Sequence, residues 1–482
     1  MINPDFLVVI LGRFISTLLA LIALRFATSL LSPAQYGEFA LLTAVQGFCG
    51  LFLLNPVGQH INLHTHKWWD EGTLASRLKF LRYYVFFVAM IGGAIVILAN
   101  LHQPKDYLIA LAAILTFMVM AATWNAVLIT MLNMLGFRIQ VAMLSVFTGL
   151  ISIICSVSLV YWWTSSAAWL FGQAIGMFLG ALAARGVLRQ QPQYLINSSE
   201  KVLLLDKKDV LTYCIPLSIA TGMMWLQLSG YRFVIEVYWG LAQLGLMAIG
   251  LQVANQVFGI AESIASQFMY PMFYRKINDS DDMVSVSRAY SDLINILAPL
   301  YLLLTGLVIM AAPYLLKLLV ASKFQGAVYF IMLGAIIELC RTFGNLLSNA
   351  AQVTRKTTSL TAPYATGSII TFTLIYLAGI LNLPLQIGGI ALTIGAAAML
   401  AIMWMHMSKQ VSLKIDMTRW LLAALAMLIM SLSVLWLPRE IDLLSGVYIL
   451  TLGAIISGVI AVTLLWKSAA LKRLLSIKLK EE

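Results

Sequence analysis

The sequence predicts an all-α polytopic membrane protein of about fourteen transmembrane helices, arranged as two pseudo-symmetric six-helix lobes followed by two C-terminal helices. Three observations predict it. Of the 482 residues, 61% are hydrophobic and 11% are charged, a balance that water-soluble domains of this length do not carry. Apolar runs of about 20 residues, long enough to cross a hydrocarbon core, recur along the whole chain. A short unit also occurs twice, as Arg25-Phe26 followed by Ala34-Gln35-Tyr36-Gly37, and as Arg232-Phe233 followed by Ala242-Gln243-Leu244-Gly245. Each copy places an arginine in the last turns of an apolar run, follows it with a Gly-ended turn, and joins the first span of one half to its second.

Taken in order, the first six spans are expected at 6–31, 38–61, 80–101, 107–132, 139–162 and 167–188, giving an N-terminal lobe over 1–190. The polar stretch 191–210 reads as a cytoplasmic linker. Six further spans, at 211–238, 244–272, 291–312, 327–350, 359–381 and 386–408, give a C-terminal lobe over 211–410. Two accessory helices, at 419–437 and 444–466, and a basic tail fill 411–482. The run Phe6–Leu31 is too long for the apolar part of a cleavable signal, so the first span is expected to stay. The four cysteines, Cys49, Cys155, Cys214 and Cys340, sit in apolar runs and read as packing residues.

The net charge of +11 is a topology signal. With the N-terminus in the cytoplasm, Lys105, Lys317, Lys323 and Arg439 are the basic residues of the outer loops. Arg13, Arg25, Arg232 and Arg341 lie within spans, and the other basic residues collect on the cytoplasmic side. The expected location is therefore a bacterial inner membrane, multi-pass, with both termini cytoplasmic. Basic residues scattered over many short loops suit anionic lipid headgroups and do not form a nucleic-acid surface. The outer loops are too short to form a domain.

Charged groups inside a span are costly and read first as functional, facing a polar cavity. The seventh span carries Ser218, Thr221, Gly222, Trp225, Ser229, Arg232 and Glu236 at helical spacing. The eighth carries Gln252, Asn255, Gln256, Gly259, Glu262, Ser263 and Ser266, and the tenth Glu338, Arg341, Thr342, Asn345, Ser348, Asn349 and Gln352. The first has a shorter stripe of Arg13, Ser16 and Thr17. The structural alternatives are self-neutralising pairs, Arg232 with Glu236 and Glu338 with Arg341, arginines at 25 and 232 that snorkel to headgroups, and close helix contacts at Ser, Thr and Gly. On the functional reading, Arg13, Arg25, Arg232, Arg341, Asn255 and Asn345 are candidate substrate-binding residues. Glu262, Glu236 and Glu338 are candidate ion-coupling residues. Glu262 is the first choice among them, because no arginine lies one turn away in its own helix; its structural alternative is a salt bridge to Arg13 or Arg341 across the cavity. His60 and His64 have the spacing of a metal pair without a third ligand, so no metal site is expected. No phosphate loop, zinc-protease motif or nucleophile elbow occurs, and no cofactor or catalytic residue is expected. Trp68, Trp69, Trp162, Trp163 and Trp169 read as interface anchors.

At Gly12-Arg13, Leu31-Ser32-Pro33-Ala34-Gln35-Tyr36-Gly37, Arg232 with Gln243-Leu244-Gly245, and Pro271-Met272-Phe273 closing the eighth span, the chain resembles a known family. It is that of the polysaccharide transporters, or O-antigen-type lipid-linked oligosaccharide flippases, of the multidrug/oligosaccharidyl-lipid/polysaccharide (MOP) exporter superfamily. The family often has an acidic residue before the arginine of the seventh helix, whereas this chain has Tyr231. The resemblance implies two lobes that alternate between inward and outward openings. It implies a polyprenyl-diphosphate-linked oligosaccharide as substrate, carried from the cytoplasmic to the periplasmic leaflet for surface polysaccharide synthesis. It implies membrane lipids, a polysaccharide polymerase and chain-length proteins as partners. Arg13 and Arg341 would face the cavity and contact phosphate. Two other readings stand beside it. One is a multidrug or organic-cation exporter on the same fold, against which four arginines outnumber the three carboxylates Glu236, Glu262 and Glu338. The other is a membrane polymerase or acyltransferase, which needs an outer domain or a catalytic pair.

Overall fold

A computed structural model covers the chain and describes all residues except 1–3, 100, 102–103, 192–206, 279–282, 355, 439–441, 467, 469, 472 and 474–482. Most of the linker expected at 191–210, and the end of the basic tail, therefore lie outside the described residues. The helices are α1 (Pro4–Leu30), α2 (Pro33–Gly47), α3 (Asn55–Asp70), α4 (Leu74–Ala99), α5 (Lys105–Met134), α6 (Arg138–Trp162), α7 (Ser166–Arg189), α8 (Lys207–Trp225), α9 (Tyr231–Asn278), α10 (Met283–Leu319), α11 (Val328–Val353), α12 (Thr361–Ile380), α13 (Leu385–Ser408), α14 (Met417–Ser433) and α15 (Leu443–Trp466).

Among the described residues, twelve helical runs are long and apolar enough to cross a membrane. One of them, Val210–Tyr274, is 65 residues long. It holds two crossings, because Gly240 sits at φ 78° and breaks α9 into arms 231–239 and 241–278. Met417–Ser433, an apolar helix of 17 residues, makes the fourteenth span.

By packing, the chain forms two compact units, Met1–Glu236 with Gly240–Gly245, and Val237–Trp239 with Leu246–Glu482. In the first unit α7 lies along α6 through Gly172, Gly176 and Gly180, one turn apart, where a methyl group would strike the backbone or Oγ of Ser156, Ser152 and Thr148. Small residues let helices approach where lipid supplies no hydrophobic drive between them. The apolar core of this unit gathers Cys49, Val85, Val88, Leu115, Met131, Leu132, Leu170 and Ala174. Trp68 and Trp169 are 4% and 2% exposed, so these two are core residues and not interface anchors; Trp162, at 86%, stays on the surface. In the second unit α10 is the most enclosed helix, and it packs against α11, α14 and α15.

The repeated unit is not a turn. Ser32 caps α2: its hydroxyl accepts from the Gln35 amide at 3.2 Å, and the Gln35 side chain accepts from the Ser32 amide at 2.9 Å. Pro33 takes the first helical position, where its missing N–H leaves nothing unsatisfied. Tyr36 and Gly37 thus lie in the first turns of a helix. The second copy likewise lies in the first turns of a helical arm, the second arm of α9, after the bend at Gly240. The two copies then meet. A methyl at Gly37 would overlap the carbonyl of Leu241, and a methyl at Gly245 would overlap the carbonyl of Pro33. The Pro271-Met272-Phe273 segment lies where the apolar run closes, at Tyr274, while the helix itself continues to Asn278 and buries Phe273 completely.

At one end of α10, a single turn of polar side chains holds the chain leading into α14. Asn295 Nδ2 donates to the Lys414 carbonyl at 2.7 Å, and the Asp416 amide donates to Asn295 Oδ1 at 2.9 Å. The Lys414 amide donates to Ser291 Oγ at 3.0 Å. Between them Asp292, 1% exposed, receives Arg473 through Nη2 at 2.6 Å and Nε at 3.0 Å, with Lys276 Nζ at 3.4 Å. A carboxylate this enclosed is tied to its cations. Asp292→Ala is therefore expected to release the segment around Ala470–Arg473, read as faster protease clipping of the C-terminal end than in the wild type. Equal clipping would separate Asp292 from tail docking.

Candidate functional site

The charged residues of the eighth and tenth spans come together in the second unit. Arg341 sits between two carboxylates: its Nε donates to Glu338 Oε2 at 2.6 Å and its Nη2 to Glu262 Oε2 at 2.6 Å. The remaining carboxylate oxygens accept from amides, Glu338 Oε1 from Asn255 Nδ2 at 3.0 Å and Glu262 Oε1 from Asn345 Nδ2 at 2.9 Å. Further along, Tyr274 Oη donates to Asn349 Oδ1 at 2.9 Å. The polar stripes of α9 and α11 thus face each other as successive rungs, which is how a span hides polar groups from hydrocarbon. The side chains of Arg341, Glu262 and Glu338 are 18%, 23% and 9% exposed. With both acids ionised the trio carries one net negative charge, to which the Asn255 and Asn345 amides donate.

Glu262 makes the salt bridge to Arg341 that stands as the structural alternative to a free coupling carboxylate: the arginine it lacks within its own helix is supplied by α11. Arg341 has a guanidinium engaged by two carboxylates, so it does not present an open cation to a phosphate. The pair Glu338–Arg341 expected at one-turn spacing forms as read.

The other arginines lie in the first unit. Arg232 does not pair with Glu236. Its Nη1 donates to the Ala40 carbonyl at 2.9 Å and to Thr43 Oγ1 at 3.2 Å, while its Nε is buried without a partner. Among the described residues Glu236 has no hydrogen bond or ion pair. The seventh-span stripe is not one continuous face either, because a π-helical turn, Leu226–Gly230, interrupts it. Its members dock on α2 and the residues after it: Trp225 Nε1 donates to the Ala44 carbonyl at 2.8 Å, and Gly222 abuts the Phe52 ring. Arg13 and Arg25 are exposed on α1, and Arg13 has no hydrogen-bond partner among the described residues. The His60 and His64 rings are tilted against one another at 4.4 Å between centroids, and Trp68 stacks on His64 at 5.4 Å.

Two features escaped the sequence reading. Glu38 accepts from Tyr107 Oη and from Ser166 Oγ, both at 2.6 Å. Lying at the very start of its apolar run, it stands outside the carboxylates weighed against the arginines; with it, and with Asp292 at the start of the ninth span, there are five carboxylates to the four arginines. The second feature is a cavity of about 310 Å³ in the first unit, between the α2–α3 run and α5. Its polar lining is Gln46, Asn55, Gln59, Asn62, Thr123 and Thr130, and its apolar lining includes Leu51, Leu54, Val119 and Val127. Asn55, Gln59 and Asn62 are one turn apart and were legible as a stripe. Gln46 was not, since it stands about two and a half turns before Asn55 in a regular helix, on the opposite face. A π-helical segment, Phe48–Leu54, widens the intervening turns and brings both to one cavity.

The overall fold is shared with solved transporters. The chain is similar to the lipid II flippase MurJ in an inward closed conformation, with a TM-score of 0.73 and 11% identity over 95% of this chain and 99% of that one. It is also similar to an inward-facing multidrug-resistance MATE transporter of the MOP superfamily, with a TM-score of 0.56 and 14% identity over 87% and 96% of the two chains. A third is a MOP superfamily transporter from Pyrococcus furiosus described as having a binding pocket of reversed polarity, with a TM-score of 0.53 and 14% identity over 88% and 94%. No curated protein sequence matches the chain. A family model for polysaccharide biosynthesis proteins matches residues 28–329. That match spans the capped repeat, its second copy and both carboxylate-bearing stretches of α2 and α9, and with it this multi-pass membrane chain belongs to the polysaccharide biosynthesis protein family, on the fold of the MOP-superfamily transporters.

Proposed function

We propose that the protein is a secondary transporter that flips a polyprenyl-diphosphate-linked oligosaccharide from the cytoplasmic to the periplasmic leaflet by alternating access. The observation that carries this reading is the polysaccharide-biosynthesis family match on a fold shared with a lipid II flippase. A diphosphate is costly to move through hydrocarbon, and cationic side chains replace its hydration. Arg13, with no hydrogen-bond partner among the described residues, is the residue assigned to that role; Arg25 and Arg232 add positive charge from α1 and α9. The trio Glu262–Arg341–Glu338, with one negative charge in excess, is assigned to ion coupling, and Asn255 and Asn345 hold its geometry. The expected partners are membrane lipids and the enzymes that lengthen the exported chain.

The test is transport in reconstituted vesicles. Wild-type protein is expected to move the lipid-linked oligosaccharide in response to an imposed pH or Na⁺ gradient. Arg13→Ala is expected to reduce transport at least tenfold at unchanged protein level, with partial rescue by Lys, which keeps the charge and loses the planar fork. Glu262→Gln is expected to retain substrate binding and lose the response to the gradient. A Glu262→Gln protein that still follows the gradient would remove this carboxylate from coupling. Orientation has its own measurement: single cysteines near Ser199 and Ser476, both outside the described residues, are expected to be labelled only from the cytoplasmic side.

A further inference from the structure

We infer that the uncharged cavity between the α2–α3 run and α5 is a binding site for the neutral sugar of the transported lipid, an inference that rests on the transport reading above. No charged side chain lines it, so it offers no cation to a diphosphate and no carboxylate to an organic cation. An acyl chain would leave its amides unsatisfied, at a cost of several kcal/mol for each polar group held away from water. Sugar hydroxyls both donate and accept, and an amide side chain answers with both functions. The apolar residues around those amides suit the C–H faces of a sugar ring.

The amides are also available. Gln46, Asn62 and Thr130 are partly buried and have no side-chain hydrogen bond among the described residues. Asn55 accepts only a long bond, 3.4 Å, from Gln59, which leaves its NH₂ group to donate. Thr123 is the exception, since its hydroxyl is spent on the Val119 carbonyl at 2.6 Å. A volume of about 310 Å³ lies at the small end of ligand pockets, roughly 300–1,000 Å³, which fits part of a glycan and not a long chain. The π-helical segment gives the site its shape, because without it Gln46 would face away from the other amides. Such segments inside α-helices occur frequently at functional sites.

The experiment measures binding to the full-length, detergent-solubilised protein with two probes. One is the lipid-linked oligosaccharide extracted from the source cells, and the other is the same polyprenyl diphosphate stripped of its sugar. The wild type is expected to bind the sugar-bearing lipid more tightly than the stripped one. Asn55→Ala combined with Asn62→Ala is expected to weaken the sugar-bearing lipid roughly tenfold or more and to leave the stripped lipid unchanged. Ala122→Leu, which fills the cavity without removing a hydrogen-bonding group, is expected to do the same. Unchanged affinity for the sugar-bearing lipid, or an equal loss for both probes, would overturn the site while leaving the transport reading in place. A wild type that binds neither probe would overturn the transport reading, and the site with it.

Discussion

Alanine at Gly37 is expected to abolish most of the folded yield, and alanine at Gly245 to do the same. At both positions the added methyl would occupy the space of a backbone carbonyl oxygen, of Leu241 in one case and Pro33 in the other. A crowded side chain can change rotamer, but a helix carbonyl is fixed by its own hydrogen-bond ladder, so the two helices must separate. Overpacking typically costs about 1–3 kcal/mol, and contact with backbone places these substitutions at or above the upper end of that range. The check is fluorescence-detected size exclusion and thermal melting of the purified variants. Gly186→Ala is the control with the opposite sign. It meets open space, and replacing a glycine in the last turn of α7 is expected to add up to about 0.5 kcal/mol, the lower end of the mid-helix value. The double variant Gly37→Ala/Gly245→Ala is expected to cost less than the sum of the singles, because one separation relieves both collisions. Full additivity would mean that the two contacts yield independently.

The second large effect is expected at Arg341. Truncation to alanine removes the cation between Glu338 and Glu262 and leaves two carboxylates facing each other, mostly out of water. Breaking a buried pair from one side typically costs about 3–5 kcal/mol. The trio predicts more than a simple loss of charge. Arg341→Ala is expected to fold poorly, whereas Arg341→Met with Glu262→Gln and Glu338→Gln is expected to recover most of the melting temperature while remaining inactive. The amides keep their partners Asn345 and Asn255, and no unbalanced charge remains. Melting temperatures of the two variants side by side decide the matter. If the triple variant is as unstable as Arg341→Ala, the instability comes from lost packing of the arginine stem.

Much of the fold was legible because a membrane imposes its constraint one span at a time. The apolar length of each run and the side on which lysines and arginines collect are local properties. The stripes on α9 and α11 were legible for the same reason, since helical spacing needs no tertiary information. What the stripes face was not. Glu262 had two candidate partners in other helices, Arg13 and Arg341, and pairing across helices leaves no mark within either one that chooses between them. Arg232 and Glu236 illustrate the converse: correct one-turn spacing, with the arginine drawn instead to the Ala40 carbonyl. The repeat was detected and its local structure misread. Glycine suggested a turn, but this glycine is required by close approach. The capping signal that starts the helix, Ser32 with Gln35, was present in the residues already quoted. Gln46 stayed hidden because a π-helical segment breaks the periodicity by which a polar face is recognised.

The meeting of Pro33–Gly37 with Leu241–Gly245 has the form of an isologous interface. The first residue of each copy lies against the last residue of the other, as in the contact between two identical subunits across a twofold axis. In a true homodimer, a change at such a contact is always made twice, once on each side. Here both sides belong to one chain, so each can vary alone while the glycines stay fixed. The paired positions have done so: Pro33 stands opposite the role of Leu241, and Tyr36 that of Leu244, with both Tyr36 and Leu244 buried. The chain thus has the local geometry of a symmetric contact without the same sequence on its two sides.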